Sequence, residues 1–143
     1  MKSVKQIIVI RKDLKVRKGK MMAQVAHASL ACVLDMMSKH KFVDTDIIEK
    51  DEKYPEIWSL QLHPNEAIYK WLKGPFKKIV LGVQTEAELL NIYQQCKDAN
   101  IPAALITDSG LTEFNGVPTN TCVGIGPYWD DDIDKITGNL NLE

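Results

Sequence analysis

VKQIIVIRKDLKVRKGKMMAQVAHASLACVLDMMS, residues 4–38, decides the fold. It opens with Ile7, Ile8, Val9 and Ile10 in succession. A short β-branched run of this kind reads as a buried strand, here near residues 4–11. DLKVRKG is a basic loop. From about Lys20 to Ser38 the spacing becomes helical. Ala23, Ala26 and Ala31 allow close packing, and Leu30, Val33, Leu34 and Met37 add bulk. A buried strand followed by a helix lying on the sheet is the opening of an α/β layer.

The rest of the chain repeats that alternation. NEAIYKWLKG reads as a short helix, with Asn65 as N-cap and Gly74 as stop. KKIVLGV is a second strand. In TEAELLNIYQQCKDAN, Thr85 and Glu88 have capping-box spacing, Leu89, Ile92 and Tyr93 have core spacing, and Asn100 suits the position after the helix. IPAALIT is a third strand ending at Asp108. Asn115-Gly116 is a hairpin signal, and a fourth strand follows near 120–125. PYWDDDIDKITG reads as a last short helix, with Asp130 to Asp132 favouring its N-terminus. Residues 41–65 are acidic, carry Pro55 and Pro64, and show no sustained period, so they read as an irregular insertion. The expectation is an α/β fold in three layers, α/β/α, with a mixed four-stranded sheet covered by helices on both faces.

A chain of 143 residues, 45% hydrophobic and 26% charged, suits a single globular domain spanning 1–143. Cys32, Cys96 and Cys122 are odd in number and widely separated, against both a disulfide framework and a zinc site. There is no secretory signal and no apolar run near 18 residues, so a cytoplasmic setting is expected. The net charge of −1 conceals an asymmetry. Residues 1–20 hold eight lysines and arginines against Asp13 alone, a balance of +7 that leaves −8 for the remainder. That suggests a localised surface for an anionic partner, although a solvated basic turn accounts equally well for the charge by itself.

Several motifs fail on spacing. Gly124-Ile125-Gly126 lacks the third glycine of a dinucleotide loop and runs into Pro127. A calcium loop starting at Asp130 would need glycine where Lys135 stands and glutamate where Asn141 stands. His27, His40 and His63 are not at metal-ligand spacing. Ser109 lacks the glycine frame of a nucleophile elbow. No metal or other cofactor is expected.

One constellation survives. At about 100° per residue, Gln24 and His27 fall within roughly 40° of Lys20 around the helix. All three share one stripe beside an N-terminus that attracts anions. Lys20 opposes the helix dipole there, at a cost of a few tenths of a kcal/mol, which an acidic partner across a cleft would offset. Asp108 is the natural candidate, because sites in open α/β sheets collect at strand C-terminal ends. Read alone, Lys20 also suits a solvated loop, His27 a core position, Asp108 a turn cap and the nearby threonines ordinary strand residues.

Taken in order, IIVIRKDLKVRKGKMMAQVAHA, KKIVLGVQTEAELL, IPAALITDSGLTEF and PTNTCVGIGPYWDDDIDKITGNLNL resemble the type 2 peptidyl-tRNA hydrolase family. The likeness runs nearly the whole chain and is weakest over residues 41–74. It implies hydrolysis of the ester joining a peptide to the terminal ribose of tRNA, peptidyl-tRNA as partner, frequent dimers and no metal. It places the family lysine on Lys20, the aspartate on Asp108, and two threonines on Thr112 and Thr121, with Thr119 an alternative to the latter. Gln24 and His27 match the helix pattern, lining the cleft on the tRNA side. Leu111 stands where the family usually has arginine.

The residues themselves suit water as nucleophile, since no activated serine or cysteine is visible. Asp108 would orient or deprotonate it, Thr112 and Thr121 would position it, and Lys20 would keep Asp108 ionised and stabilise the oxyanion. Lys12, Lys15, Arg17 and Lys18 would grip phosphates, and the acidic 41–65 segment would lie away from the RNA or rim the cleft. Two rivals are a non-catalytic tRNA- or protein-binding module on the same fold, and a small-molecule enzyme using the same cleft.

Overall fold

The computed structural model describes residues 2–41 and 55–143. Chain order is β1 (Val4–Arg11), α1 (Lys18–Asp35), β2 (Ser38–Lys41), β3 (Glu56–Ser59), α2 (Ala67–Lys73), β4 (Lys78–Val83), α3 (Glu86–Asp98), β5 (Ala103–Asp108), β6 (Thr119–Trp129), α4 (Asp130–Thr137) and β7 (Asn141–Leu142). The main sheet runs β5-β6-β1-β4-β7. β1 and β4 are parallel, while β6 is antiparallel to both β1 and β5. The sheet is therefore mixed, and β1, β4 and β5 all end on one rim, at Arg11, Val83 and Asp108.

Alternation along β1 sorts the core. Ile7 and Val9 cluster with Leu81, Val83, Val123 and Ile125, under Leu89, Ile92 and Cys96 of α3 and Ile133 of α4. Ile8 points the other way and meets Ala28 of α1 and Cys122. On that side Val4 packs with Ala67 and Trp71 of α2. α1 lies very close to the sheet. A Cβ on Gly124 would stand 2.6 Å from the Ala28 carbonyl oxygen and 2.7 Å from Cys32 Sγ. Glycine at 124 sets the depth at which α1, and every side chain it carries, meets β6.

The four-strand expectation is corrected to five. β7 is two residues paired to Leu81 and Gly82, too short to show a period. The irregular reading of 41–65 is corrected at Glu56–Ser59, which pairs antiparallel with Ser38–Lys41 as a separate two-stranded sheet, while residues 60–65 carry no helix or strand. Residues 42–54 of the acidic stretch lie outside the described residues. α1 begins two residues earlier than its spacing suggests and stops at Asp35. α2 takes Glu66 rather than Asn65 as N-cap, and Gly74 is its C-cap. β6 runs on to Trp129, past the expected end at 125. The pairing shifts between Lys5 and Ile7, so Gly126 and Pro127 face Gln6 alone, and proline sits at a bulge where the ladder does not need its N–H.

Candidate functional site

At the β5 terminus the chain leaves the sheet, and Asp108 Oδ2 accepts a hydrogen bond of 2.9 Å from the Gly110 N–H. Such a turn fixes the carboxylate by its own backbone. Gly110 has φ of +82°, and a Cβ there would meet the Val117 carbonyl oxygen at 2.3 Å. Only glycine lets the 109–118 loop close on itself, through Gly116 N–H to the Gly110 carbonyl at 2.8 Å and Val117 N–H to the Phe114 carbonyl at 2.9 Å.

α1 delivers the second component. Its N-cap, Arg17, makes no side-chain cap and its first turn holds no acidic residue. The cap comes from the loop instead. Glu113 accepts from the Arg17 backbone N–H at 3.3 Å and from Arg17 Nε at 2.9 Å. The Arg17 hydrogen bond holds the Glu113 carboxyl below its ordinary value. A carboxylate here satisfies an orphan helix N–H and complements the helix dipole. The same contact ties the loop to the helix.

Lys20 and Gln24, one turn apart, converge on Asp108 Oδ1 from 2.8 Å (Nζ) and 3.2 Å (Nε2). Lys20 Nζ also donates to Thr112 Oγ1 at 3.0 Å and lies 5.9 Å from the Phe114 ring centre. The Asp108 carboxyl is held below its ordinary value, first by the Lys20 hydrogen bond, then by the Gly110 N–H. Thr112 accepts from an ammonium, so its own proton remains available to a second acceptor. Lys20 and Asp108 are half-buried and Thr112 is exposed, so the cluster is reachable from solvent.

Beneath it lies a buried layer. Gln24 is 2% exposed and Thr121 0%. Thr121 Oγ1 donates to Gln24 Oε1 at 2.8 Å, which leaves the amide nitrogen facing Asp108. Cys122 Sγ, pushed up to about 11 by burial, donates to the Gln24 carbonyl at 3.3 Å. Thr119 does not substitute for Thr121, since its hydroxyl is given to the Val117 carbonyl at 2.9 Å.

The other sequence candidates divide. His27 is exposed on α1 one turn past Gln24, so it is not a core histidine. Lys15 and Lys18 are exposed. Lys12 is ion-paired with Glu143 at 2.7 Å, and Arg17 with Glu113. Gln24 lies below the surface, with both ends of its amide engaged. Sequence reading missed Glu113, because a cap supplied from 96 residues away leaves no local spacing to find. Among the described residues no three of His, Cys, Asp and Glu gather as a metal site, and no helix is long and apolar enough to cross a membrane. A cavity of about 600 Å³, lined by Gln84, Asn91, Gln95 and Asn139 among others, shares no residue with the Asp108 cluster.

An α/β sheet protein that holds a carboxylate, an ammonium and a hydroxyl together at one solvent-reachable strand end is of a class equipped for water-dependent ester chemistry. The family model described as peptidyl-tRNA hydrolase PTH2 matches residues 4–143. Peptidyl-tRNA hydrolases of Methanopyrus kandleri and Sulfurisphaera tokodaii are 37% and 36% identical over 138 and 140 residues. The matches cover 96% and 98% of this chain and 97% and 98% of theirs. The one from Haloquadratum walsbyi is 37% identical over 139 residues, 97% of this chain and 99% of its own. A solved protein of unknown function from Agrobacterium tumefaciens shares the fold, with a TM-score of 0.51 at 14% identity, covering 100% of this chain and 99% of its own. The chain belongs to the PTH2 peptidyl-tRNA hydrolase family.

Proposed function

We propose that the protein hydrolyses the ester between the peptide and the terminal ribose of peptidyl-tRNA. The observation that carries the reading is the convergence of Lys20, Gln24 and the Gly110 N–H on Asp108, with Thr112 on the same ammonium. Water attacks the ester carbonyl as Asp108 orients it and accepts its proton. Lys20 stabilises the negative charge gathering on the carbonyl oxygen. The intermediate collapses by breaking the bond to the ribose oxygen, which takes the proton held by Asp108 and leaves as the hydroxyl of free tRNA. The peptide departs as a carboxylic acid. An acceleration of ~10⁶ requires about 8 kcal/mol. One oxyanion contact contributes roughly 3–4 kcal/mol, and positioning of the water can supply the rest.

Within this reading Thr112 positions the water directly. The buried Thr121 acts through Gln24, so both are positioning residues, and Gln24 moves from tRNA contact to site support. Lys15, Lys18 and His27 are the accessible contacts for RNA. Lys12 and Arg17 join them by exchanging Glu143 and Glu113 for phosphate. The intact Lys20–Asp108–Thr112 contacts speak against a binding-only module. We further read residues 1–143 as one domain in three layers, α/β/α, with the 41–65 segment as its acidic insertion, working in the cytoplasm and able to pair with a second copy. The test is turnover of a purified peptidyl-tRNA. Release of free tRNA and peptide by the wild-type chain, lost on Lys20→Ala or Asp108→Ala, is the expected result, and an inactive wild-type chain rejects the proposal.

A further inference from the structure

A second cationic surface lies well away from the residues just described. Between Ala67 and Gln84 the chain carries Lys70, Lys73, Lys77 and Lys78 and no aspartate or glutamate. Among the described residues none of the four is ion-paired with a carboxylate, whereas Lys12, Arg17 and Lys20 all are. Lys70 donates to the Lys2 carbonyl. Lys78 folds back over Phe76 and Trp71, with Nζ 3.2 Å and 4.8 Å from the ring centres. Lys73 and Lys77, which precede and follow Phe76 in the chain, remain exposed, and Phe76 is itself 51% exposed and held at φ of +53°.

This surface is continuous with the helix that carries Lys20. Phe76 and Lys78 line one hollow with Met22, Ala26 and Leu30 of α1. No carboxylate occurs on α1 from Lys18 to Leu34 to repel an anion along the way. Strand register gives the separation. Ile106 is level with Cys122, Ile10 and Gly82, so Asp108 lies some six residues along the sheet from Lys78 and three strands across it. At ~3.3 Å per residue and ~4.8 Å per strand that is roughly 20–25 Å.

We propose that Lys73 and Lys77 form a second phosphate-binding site, which holds the base-paired stem of the RNA while its 3′ end lies at Asp108. The inference rests on the proposed function and adds a requirement for RNA beyond the terminal nucleotides. Phosphate contacts fix orientation without reading sequence.

The experiment compares wild-type chain with the Lys73→Ala/Lys77→Ala double variant on two esters. One is N-acetyl-aminoacyl-tRNA and the other carries the same aminoacyl ester on an oligonucleotide of the 3′-terminal nucleotides alone. Binding of deacylated tRNA is measured separately against salt. On the full substrate, kcat/KM is expected to fall about tenfold. The slope of log affinity against log salt should flatten by somewhat under one unit per lysine. The short ester should be cleaved equally by both chains, and Lys73→Arg/Lys77→Arg should restore the full substrate. Equal loss on both esters, or an unchanged salt slope, overturns the proposal. So does binding of anionic phospholipid vesicles that depends on the two lysines while tRNA binding does not. A wild-type chain that cleaves neither ester rejects the hydrolase reading, while the binding slopes still decide the lysines.

Discussion

Thr121 and Gln24, 97 residues apart in the chain, share a buried hydrogen bond of 2.8 Å that sets which end of the amide faces Asp108. Without the hydroxyl, Gln24 Oε1 loses its donor. Leaving a buried acceptor unsatisfied costs about 1–3 kcal/mol. Thr121→Val is therefore expected to lower the melting temperature by several degrees. It should also reduce kcat about tenfold with little change in KM. Thr121→Ser should restore both. Thermal melts and steady-state kinetics decide it, and a Thr121→Val chain with wild-type kcat would remove Thr121 from the site.

Lys20 and Asp108 are expected to behave oppositely to core residues. Their pair is partly open to water, where an ion pair contributes about 0–1 kcal/mol to stability. Lys20→Ala and Asp108→Asn should each cut kcat/KM by 10² or more while shifting the melting temperature by only a few degrees. Paired melting curves and turnover on the same preparations provide the check. Loss of activity in proportion to loss of fold would mean that the residues only hold the loop.

The pH dependence follows from three depressed carboxyls. Asp13 is lowered chiefly by its Arg11 hydrogen bond, Asp108 by Lys20 and Glu113 by Arg17. For a carboxyl whose folded value lies below its unfolded value, the stabilisation is fully present above the unfolded value, about 4. It is lost as pH falls through the folded value. Stability should hold from neutral pH down to about 4 and decline below that. The acid limb of kcat/KM should lie below the ordinary aspartate value and move upward in Lys20→Ala, as a pH–rate profile at constant ionic strength will show. An acid limb that ignores Lys20 would mean that another group governs it.

Legibility in the sequence followed the range of each interaction. Ile7 to Ile10 and the Thr85/Glu88 cap carry their structure locally, and the cap is present as Glu88 N–H to Thr85 Oγ1 at 3.1 Å. The meeting of Lys20 with Asp108 was reachable because helix periodicity gives one partner and the strand's end the other. The Glu113 cap was not, since its logic lies across the loop. Nor was the burial of Gln24 and Thr121: helix spacing puts Gln24 in the same stripe as Lys20, but the depth of that stripe is set by Gly124. β7 escaped because two residues have no period, and the β2–β3 pair because its two four-residue strands stand far apart in the sequence with no local turn signal between them.

The depth of α1 is itself testable. In Gly124→Ala the new methyl would meet the Ala28 carbonyl at 2.6 Å, a backbone atom that cannot rotate away. Overpacking of this kind costs about 1–3 kcal/mol. The helix would lift, carrying Lys20 and Gln24 away from Asp108, so turnover should fall more than stability predicts. Gly19→Ala is the control. It lies in α1 with nothing within 4 Å of its added Cβ, and a helical alanine should leave stability equal or better. Chemical denaturation of both variants, with turnover at a temperature where each is fully folded, separates the two effects. A Gly124→Ala chain as stable and active as wild type would show that α1 has room to spare.

Leu111 is 85% exposed on the loop that also carries Thr112 and Glu113. A leucine this exposed gains almost nothing from burial, so Leu111→Arg should leave the melting temperature within about a degree. The same position adjoins the hydroxyl on Lys20. An added guanidinium there would meet the phosphate or ribose end of an RNA whose ester lies at Asp108. Affinity for tRNA at low salt should rise several-fold, and the salt slope should steepen by somewhat under one unit, the value for one added phosphate contact. kcat/KM should rise with affinity, and kcat should stay within twofold, because the new charge assists docking and does not touch the carbonyl. Titration of deacylated tRNA at several salt concentrations, beside turnover on the acylated form, measures both. An unchanged slope would place the loop tip away from RNA, and the 3′ end would then have to enter from the His27 side of α1.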